Sequence, residues 1–331
     1  MVRFDAERLA EAGEQPAGSG GAPRRPRETS VRMAVNLGGL AMKNPVTVAS
    51  GTFAAGREYG DFVDVAALGA VTTKGVSLHG WEGNASPRIA ETPSGMLNSI
   101  GLQNPGVAHL KEHDLPWLQT RGATVVVNVS GHSFDEYVQV VEALEEAPVD
   151  AYELNVSCPN VDAGGMTIGT CAASVEAVVA RCRAATARPL VVKLTPNVTD
   201  VAEIARAAEA GGADALSLIN TLLGMGIDAR RRRPLLARVV GGLSGPAVKP
   251  VALRMVWECS KAVRVPILGM GGVCNGTDAV EFLLAGATAV AVGTANFANP
   301  HAAVDVVDGI AAFCEDEGVS NVNELIGALE C

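Results

Sequence analysis

Residues 124–156 read "TVVVNVSGHSFDEYVQVVEALEEAPVDAYELNV" and contain one complete structural unit. An apolar run, TVVVNV, precedes DEYVQVVEALEEA, in which apolar residues recur three or four positions apart, and a second run, AYELNV, follows. Continuous apolar runs are typical of parallel strands buried on both faces, and the 3.6-residue period is typical of an amphipathic helix. The stretch therefore predicts a strand, a helix and a second, parallel strand.

The same alternation of apolar runs and helix-period stretches recurs along the chain. The apolar runs, each predicted to form a strand, occupy residues 46–50, 70–74, 124–129, 151–156, 189–194, 215–220, 265–270 and 289–294. Eight such units in a chain of 331 residues predict an α/β protein with a (β/α)8 TIM barrel rather than a doubly wound sheet.

Other segments complete the predicted architecture. A short β-hairpin over residues 32–45 is expected to cover the bottom of the barrel. Residues 75–123 and 221–245 are expected to be long strand-end insertions that bind a ligand or act as lids. The sequence predicts that residues 1–30 form a flexible N-terminal extension with a short helix near its start. Residues 31–331 are predicted to form one catalytic domain.

Charge and residue usage exclude several functional classes. A net charge of −10 and a pI near 5.1 argue against nucleic acid as a partner, because a basic surface is needed to bind it. No apolar stretch is long enough to span a membrane, and the start lacks the apolar core of a signal peptide. The cysteine and histidine spacings predict neither a disulfide framework, nor an iron-sulfur cluster, nor a metal site. A cytoplasmic metabolic protein is expected.

Polar residues follow the predicted strands. Catalytic groups of this fold lie at the carboxyl ends of the strands, so these residues are expected to converge on one site. They are Ser50, Lys74, Asn128, Asn155, Cys158, Lys193, Asn220 and Thr221.

Two glycine-containing loops, "GMGGV" (269–273) and "VGTANF" (292–297), follow the last two predicted strands. Each places backbone N–H groups just before a helix start, where phosphate oxygens are bound favourably. The loops predict a cofactor or a substrate that carries phosphate.

The lysines and Cys158 each leave alternatives open. Lys193 and Lys74 would stabilise negative charge on a reduced flavin, form a Schiff base, or pair with a nearby carboxylate. Cys158 would be a general base or an inert buried thiol. The asparagines at positions 98, 128, 155, 160 and 220 can both donate and accept, which suits a neutral cyclic amide better than a polyanion.

Ordered motifs from Val31 to the C-terminus resemble the class 1 dihydroorotate dehydrogenases, and the later ones are most similar to the class 1B catalytic subunit. The motifs are "ASGTFAAGREYGDF", "TTKGVSL", "PRIAETPSGMLNSIGLQNPG", "ELNVSCPNV", "KLTPNV", "INTLLGM", "GGLSGPAVKP", "GMGGV" and "AVAVGTANF". The segment "DAGGMTIGTCAAS" (162–174) departs from the family pattern, in which an aromatic residue near Ile168 and an acidic residue near Cys171 are usual.

The resemblance implies an FMN-bound barrel that oxidises (S)-dihydroorotate to orotate in pyrimidine (UMP) biosynthesis. Cys158 would remove the C5 proton while C6 passes its hydride to flavin N5, with Lys74 and Lys193 also in catalytic roles. FMN would be held by Ser50, Lys74, Gly75, Asn128, Asn155, Lys193, Ile219, Gly245, Gly271, Gly272, Gly293 and Thr294. Substrate would be held by Lys74, Asn98, Ser99, Ile100, Gly101, Leu102, Asn155, Asn160, Asn220 and Thr221, with backbone N–H groups of the 98–102 loop taking its carboxylate.

The resemblance also implies partners. The barrel would form a homodimer and a heterotetramer with a second subunit that carries FAD and a [2Fe-2S] cluster and passes electrons to NAD+. The alternatives from other classes are an FMN-dependent dihydropyrimidine dehydrogenase, a flavin-free Schiff-base lyase that uses Lys193 or Lys74, and a catalytically silent barrel that serves as a scaffold.

Overall fold

The computed structural model describes residues 22–157 and 168–330. The strands are β1 (Val35–Leu37), β2 (Leu40–Met42), β3 (Val46–Val48), β4 (Val71–Thr72), β5 (Ile89–Thr92), β6 (Gly95–Asn98), β7 (Val125–Val129), β8 (Ala151–Leu154), β9 (Leu190–Lys193), β10 (Ala215–Leu218), β11 (Leu222–Met225), β12 (Ile227–Asp228), β13 (Arg233–Pro234), β14 (Val240–Ser244), β15 (Ile267–Met270) and β16 (Ala289–Val292). The α-helices are α1 (Val107–His109), α2 (Leu115–Arg121), α3 (Phe134–Leu144), α4 (Ala172–Ala185), α5 (Val201–Ala210), α6 (Lys249–Ala262), α7 (Gly276–Leu284), α8 (Ala295–Ala298) and α9 (Ala302–Asp316).

Eight parallel strands form the barrel, in the order β3, β16, β15, β10, β9, β8, β7, β4. Each lies within one of the eight predicted apolar runs, so the prediction of a (β/α)8 barrel is confirmed. The first and last strands in this order, β3 and β4, do not share a ladder. They are joined by the Gly69 N–H, which donates to Val46 O at 2.9 Å, and by Thr47 Oγ1, which donates to Ala70 O at 2.9 Å.

The predicted hairpin consists of β1 and β2, which pair antiparallel. Its turn packs against the residues that precede the barrel strands: a Cβ added at Gly38 would lie 2.2 Å from Asp214 O, just before β10. The hairpin therefore covers the amino-terminal end of the barrel, as predicted, and leaves the carboxyl end of the strands for the insertions.

Helices surround the barrel where the helix-period stretches predicted them. Several begin at a polar side chain that accepts a hydrogen bond from the first turn: Ser133 caps α3, Asp200 caps α5 and Asn275 caps α7. On α3, Val140, Val141 and Leu144 are buried, which is the apolar stripe that the sequence period predicts.

The two long insertions pair with each other above the barrel. Strands β5 and β6 from the first and β11 and β14 from the second form a four-stranded antiparallel sheet in the order β11, β14, β6, β5, here called the insertion sheet. At its central pair, Leu97 lies opposite Leu243. At the end of β14 the two insertions approach so closely that a Cβ on Gly245 would lie 2.7 Å from the Cα of Gly95.

Part of the predicted N-terminal extension is described, and it contacts α9. Thr29 Oγ1 donates to Glu315 Oε1 at 2.6 Å, and the backbone N–H of Arg27 donates to Asp308 Oδ1 at 2.8 Å. The predicted helix near the start of the chain lies outside the described residues, and the division into a flexible extension and a catalytic domain stays a prediction. Within residues 22–157 and 168–330, no helix is long and apolar enough to cross a membrane.

Candidate active site

A cavity of about 490 Å³ opens at the carboxyl ends of the barrel strands, beneath the insertion sheet. This volume is within the usual range for a small-molecule site. Most of the predicted site residues line it: Ser50, Lys74, Gly75, Asn98, Ser99, Ile100, Gly101, Leu102, Asn155, Lys193, Ile219, Asn220, Thr221, Gly245, Gly271, Gly272, Gly293 and Thr294. Of the others, Asn128 lies behind the cavity wall, and Cys158 and Asn160 lie outside the described residues.

One end of the cavity is formed by Gly245, Gly271, Gly272 and Gly293, here called the glycine cluster. Gly271 and Gly272 have φ of 121° and 82°, which side chains rarely adopt, and a Cβ at Gly272 would lie 3.0 Å from Gly245 O. Next to the cluster, Thr294 Oγ1 donates to Ser244 Oγ at 2.8 Å. The N–H groups of Gly272 and Thr294 make no hydrogen bond within the described part of the chain. The cluster can therefore donate backbone hydrogen bonds to an anionic group such as phosphate.

The floor of the cavity contains a buried pair of opposite charges. Lys193 at the end of β9 lines the cavity, and its side chain is 6% exposed. Its Nζ lies 3.9 Å from Oε2 of Glu153, whose side chain is 1% exposed. The carboxylate also accepts hydrogen bonds from Asn128 Nδ2 at 2.5 Å and from Ser217 Oγ at 2.7 Å. These four residues, here called the floor cluster, come from four adjacent strands of the barrel, β7 to β10.

Asn155, Ser157 and Asn220 form a hydrogen-bonded network on another wall, here called the asparagine network. Ser157 Oγ donates to Asn155 Oδ1 at 2.7 Å, and Asn220 Nδ2 donates to Ser157 Oγ. The backbone N–H of Thr221 donates to Asn220 Oδ1 at 2.7 Å. With both amide oxygens engaged, the orientation of each amide is set. Asn155 Nδ2 makes no hydrogen bond within residues 22–157 and 168–330, so it can donate to a carbonyl oxygen in the cavity.

The 98–102 loop forms part of the cavity rim. The sequence predicted that the backbone N–H groups of this loop bind the substrate carboxylate. The Ser99 N–H instead donates to Arg88 O at 2.8 Å and is not available to a ligand. The N–H groups of Ile100, Gly101 and Leu102 make no hydrogen bond within the described residues. Gly101 and Leu102 have successive positive φ values of 76° and 53°. Consecutive N–H groups in such a turn form a concave anion site, which fits a carboxylate.

Sequence reasoning missed Glu153, Ser157 and Ser217. Glu153 had a detectable signal, because it is a charged residue within an apolar strand, as is Lys193. The serines had none, because serine is common near strand ends and only the folded chain shows which groups they reach.

The described cysteines divide into two kinds. Burial raises the pKa of the Cys182 and Cys259 thiols to about 12 and that of Cys274 to about 11, which keeps them protonated at neutral pH. None of these three thiols lines the cavity. Cys171 differs, because a hydrogen bond with the Ser174 side chain lowers its pKa.

Comparison with known proteins gives one consistent result. The family model described as dihydroorotate dehydrogenase matches residues 32–314. A protein of Alkaliphilus metalliredigens is 56% identical over 301 residues, which cover 91% of this chain and 100% of the relative. A protein of Bacteroides fragilis is 54% identical over 299 residues, covering 90% of this chain and 99% of the relative. Both relatives carry the name dihydroorotate dehydrogenase B (NAD(+)), catalytic subunit.

Proposed function

Because this chain belongs to the dihydroorotate dehydrogenase family, we propose that it oxidises (S)-dihydroorotate to orotate in pyrimidine biosynthesis. One observation carries the proposal beyond the family name. One cavity at the barrel mouth combines the glycine cluster, the Lys193 ammonium, the asparagine network and those N–H groups of the 98–102 loop that make no hydrogen bond among the described residues. These are the groups that a phosphate-bearing flavin and a cyclic amide with a carboxylate require.

FMN fits the described residues. The glycine cluster provides backbone donors for the phosphate, and no side chain fits there, because a Cβ on Gly272 or Gly245 would collide with backbone. Lys193 lines the same cavity and would provide a cation for the ring system. Asn128 Oδ1 is buried and accepts no hydrogen bond from the described residues. A Cβ at position 75 would lie 2.7 Å from this oxygen, so glycine at that position leaves it accessible to an N–H group of the cofactor. The remaining predicted FMN residues Ser50, Lys74, Asn155, Ile219 and Thr294 line the same cavity.

Dihydroorotate suits the other walls. One of its carbonyl oxygens can accept from Asn155 Nδ2, whose orientation is set by the asparagine network, and Asn220 lines the same cavity. Its carboxylate can accept from the N–H groups of Ile100, Gly101 and Leu102. Asn98 and Thr221 line the same cavity.

The reaction removes a proton from C5 and a hydride from C6 of the substrate. In this proposal Cys158 takes the proton as a general base, as the family motif predicts, and the chemistry supplied by bound FMN is acceptance of the hydride. Lys193 stabilises the negative charge that results. The ion pair with Glu153 at 3.9 Å supports this charge-stabilising role over that of a Schiff-base nucleophile.

We also propose the route by which electrons leave. The names of the relatives specify NAD(+) and a catalytic subunit, which supports a separate partner that completes the reaction with NAD+ as final acceptor. In the proposed assembly, FAD and a [2Fe-2S] cluster are on that partner, and two copies of each chain form a heterotetramer around a homodimer of the barrel. The cytoplasmic location stays a prediction.

The test is an anaerobic absorbance spectrum of the purified chain, loaded with FMN, before and after addition of dihydroorotate. We expect the visible flavin absorbance to bleach with dihydroorotate and to persist with dihydrouracil, which has the same ring without the carboxylate. Bleaching by dihydrouracil alone would replace this proposal with a dihydropyrimidine dehydrogenase. Failure to retain any FMN would reject both flavin reactions.

A further inference from the structure

The proposed reaction assigns no role to Glu153, although its carboxylate lies directly below the cavity. Glu153 and Asn155 are two residues apart at the end of β8, so their side chains point to the same side of the strand. Asn155 lines the cavity, and Glu153 is therefore one layer deeper in the barrel. A carboxylate that is 1% exposed is costly to bury, so its position requires specific partners.

The partners of Glu153 are of two kinds. Asn128 Nδ2 and Ser217 Oγ donate hydrogen bonds to its two oxygens, one to each. Lys193 Nζ, at 3.9 Å, is too distant for a hydrogen bond but close enough for strong Coulomb attraction in a buried site. The carboxylate therefore balances the lysine charge without using the lysine N–H donors, and Lys193 Nζ makes no hydrogen bond within the described residues.

We propose that Glu153 is a positioning residue that sets the reduction potential of the flavin through Lys193. The inference rests on the proposed function, in particular on FMN bound beside Lys193. Before the flavin is reduced, the Lys193–Glu153 ion pair carries no net charge. The negative charge that the flavin gains on reduction is stabilised by the ammonium and opposed by the carboxylate. The carboxylate thus keeps the potential lower than the lysine alone would set it.

Glu153 also orients a second group beside the cavity. An ionised carboxylate only accepts hydrogen bonds, so the amide of Asn128 must turn its Nδ2 toward Glu153 and its Oδ1 away. That oxygen is buried beside Gly75, which lines the cavity. The same carboxylate therefore fixes both a cation and a hydrogen-bond acceptor at the floor.

The test compares the flavin midpoint potential of Glu153→Gln with that of the unmodified chain, by equilibration with reference dyes and without dihydroorotate. We expect Glu153→Gln to raise the potential, because the lysine charge is no longer opposed. Removing the carboxylate restores the lysine charge that it offsets, and one unit of charge within about 12 Å changes an equilibrium about tenfold at the effective dielectric of buried sites. A tenfold change corresponds to ~30 mV for a two-electron couple.

Two matched variants separate charge from structure. Ser217→Ala removes an uncharged hydrogen-bond donor to the same carboxylate, and Glu153→Asp keeps the negative charge. We expect both to have potentials close to that of the unmodified chain. A Glu153→Gln potential equal to that of Ser217→Ala, with FMN bound, would overturn the inference and leave the proposed function standing.

A further pair of variants tests the route through Lys193 and remains informative if Glu153→Gln does not fold. Lys193→Met should lower the potential, and the double variant with Glu153→Gln should match Lys193→Met alone. The reason is that Glu153, in this inference, acts only by offsetting the lysine charge, so its replacement has no effect once that charge is gone. A higher potential in the double variant would mean that Glu153 acts on the flavin directly, and the inference would fail. If the unmodified chain binds no FMN, the proposed function fails instead.

Discussion

At the scale of single residues, the roles of the charged groups in the site are determined by the side chains that contact them. Lys193 was identified from the sequence because a cation within an apolar strand needs a reason to be there. Glu153 satisfies the same criterion, but its partners belong to three other strands, and two of them are about 25 and 64 residues away in sequence. Sequence spacing does not show which inward-facing side chains contact each other. The buried charge of Glu153 could therefore be noticed from the sequence, but its partners could not.

A residue-scale prediction concerns the proposed base. Replacing Cys158 with alanine should leave FMN bound and slow flavin reduction by dihydroorotate by about 10² to 10⁴-fold, the usual contribution of a general base. Stopped-flow absorbance under anaerobic conditions measures this rate. Cys182→Ala is the matched control, because Cys182 is a buried thiol on α4 that does not line the cavity. Equal rates for Cys158→Ala and the unmodified chain would remove Cys158 from the role of base.

At the scale of elements, each barrel strand was predictable and the insertion sheet was not. The barrel strands lie in apolar runs because both of their faces are buried. Strand β14, with the sequence VGGLS, contains two glycines in five residues and shows no alternation, and its partner β6 lies about 144 residues earlier. The sequence therefore predicted two long insertions at the correct positions but not that they would pair and cover the same cavity.

The contact between the insertions gives an element-scale prediction. Gly245→Ala should lower the melting temperature and weaken FMN binding, because φ of 94° with ψ of −170° is essentially restricted to glycine and the new Cβ would lie 2.7 Å from Gly95 Cα. Strain and overpacking together are expected to cost about 2 to 5 kcal/mol. Thermal unfolding and FMN titration measure the two effects.

Gly318→Ala is the matched control for this substitution. Gly318 also has a positive φ, 70°, but nothing lies within 4 Å of the added Cβ. We expect a loss of only about 1 to 2 kcal/mol and unchanged FMN affinity. Equal losses at the two positions would mean that the close approach of the insertions contributes nothing to the site.

At the scale of the whole molecule, the cavity brings together groups from the first strand of the barrel to the last, so a bound cofactor should stabilise the entire fold. FMN at 100 times its dissociation constant should add about 2.7 kcal/mol to the free energy of unfolding, seen as a higher melting temperature. Riboflavin, which lacks the phosphate, is the matched ligand. It should stabilise the protein much less at the same concentration, because it cannot use the backbone donors of the glycine cluster. Equal stabilisation by both ligands would contradict the assignment of phosphate to that cluster.

The closure of the barrel between β3 and β4 has a consequence for protein engineering. Every other pair of neighbouring barrel strands is held by a backbone ladder, which persists through most side-chain replacements. Here the joint includes the Thr47 hydroxyl, which donates to Ala70 O and lies 3.2 Å from Thr72 Oγ1. A library that varied the barrel interior, or a chimera that exchanged barrel halves at this point, would therefore have to retain a hydroxyl at position 47. At this one joint the ring is closed by a side-chain hydroxyl together with one backbone hydrogen bond, from Gly69 N–H to Val46 O, instead of by a ladder.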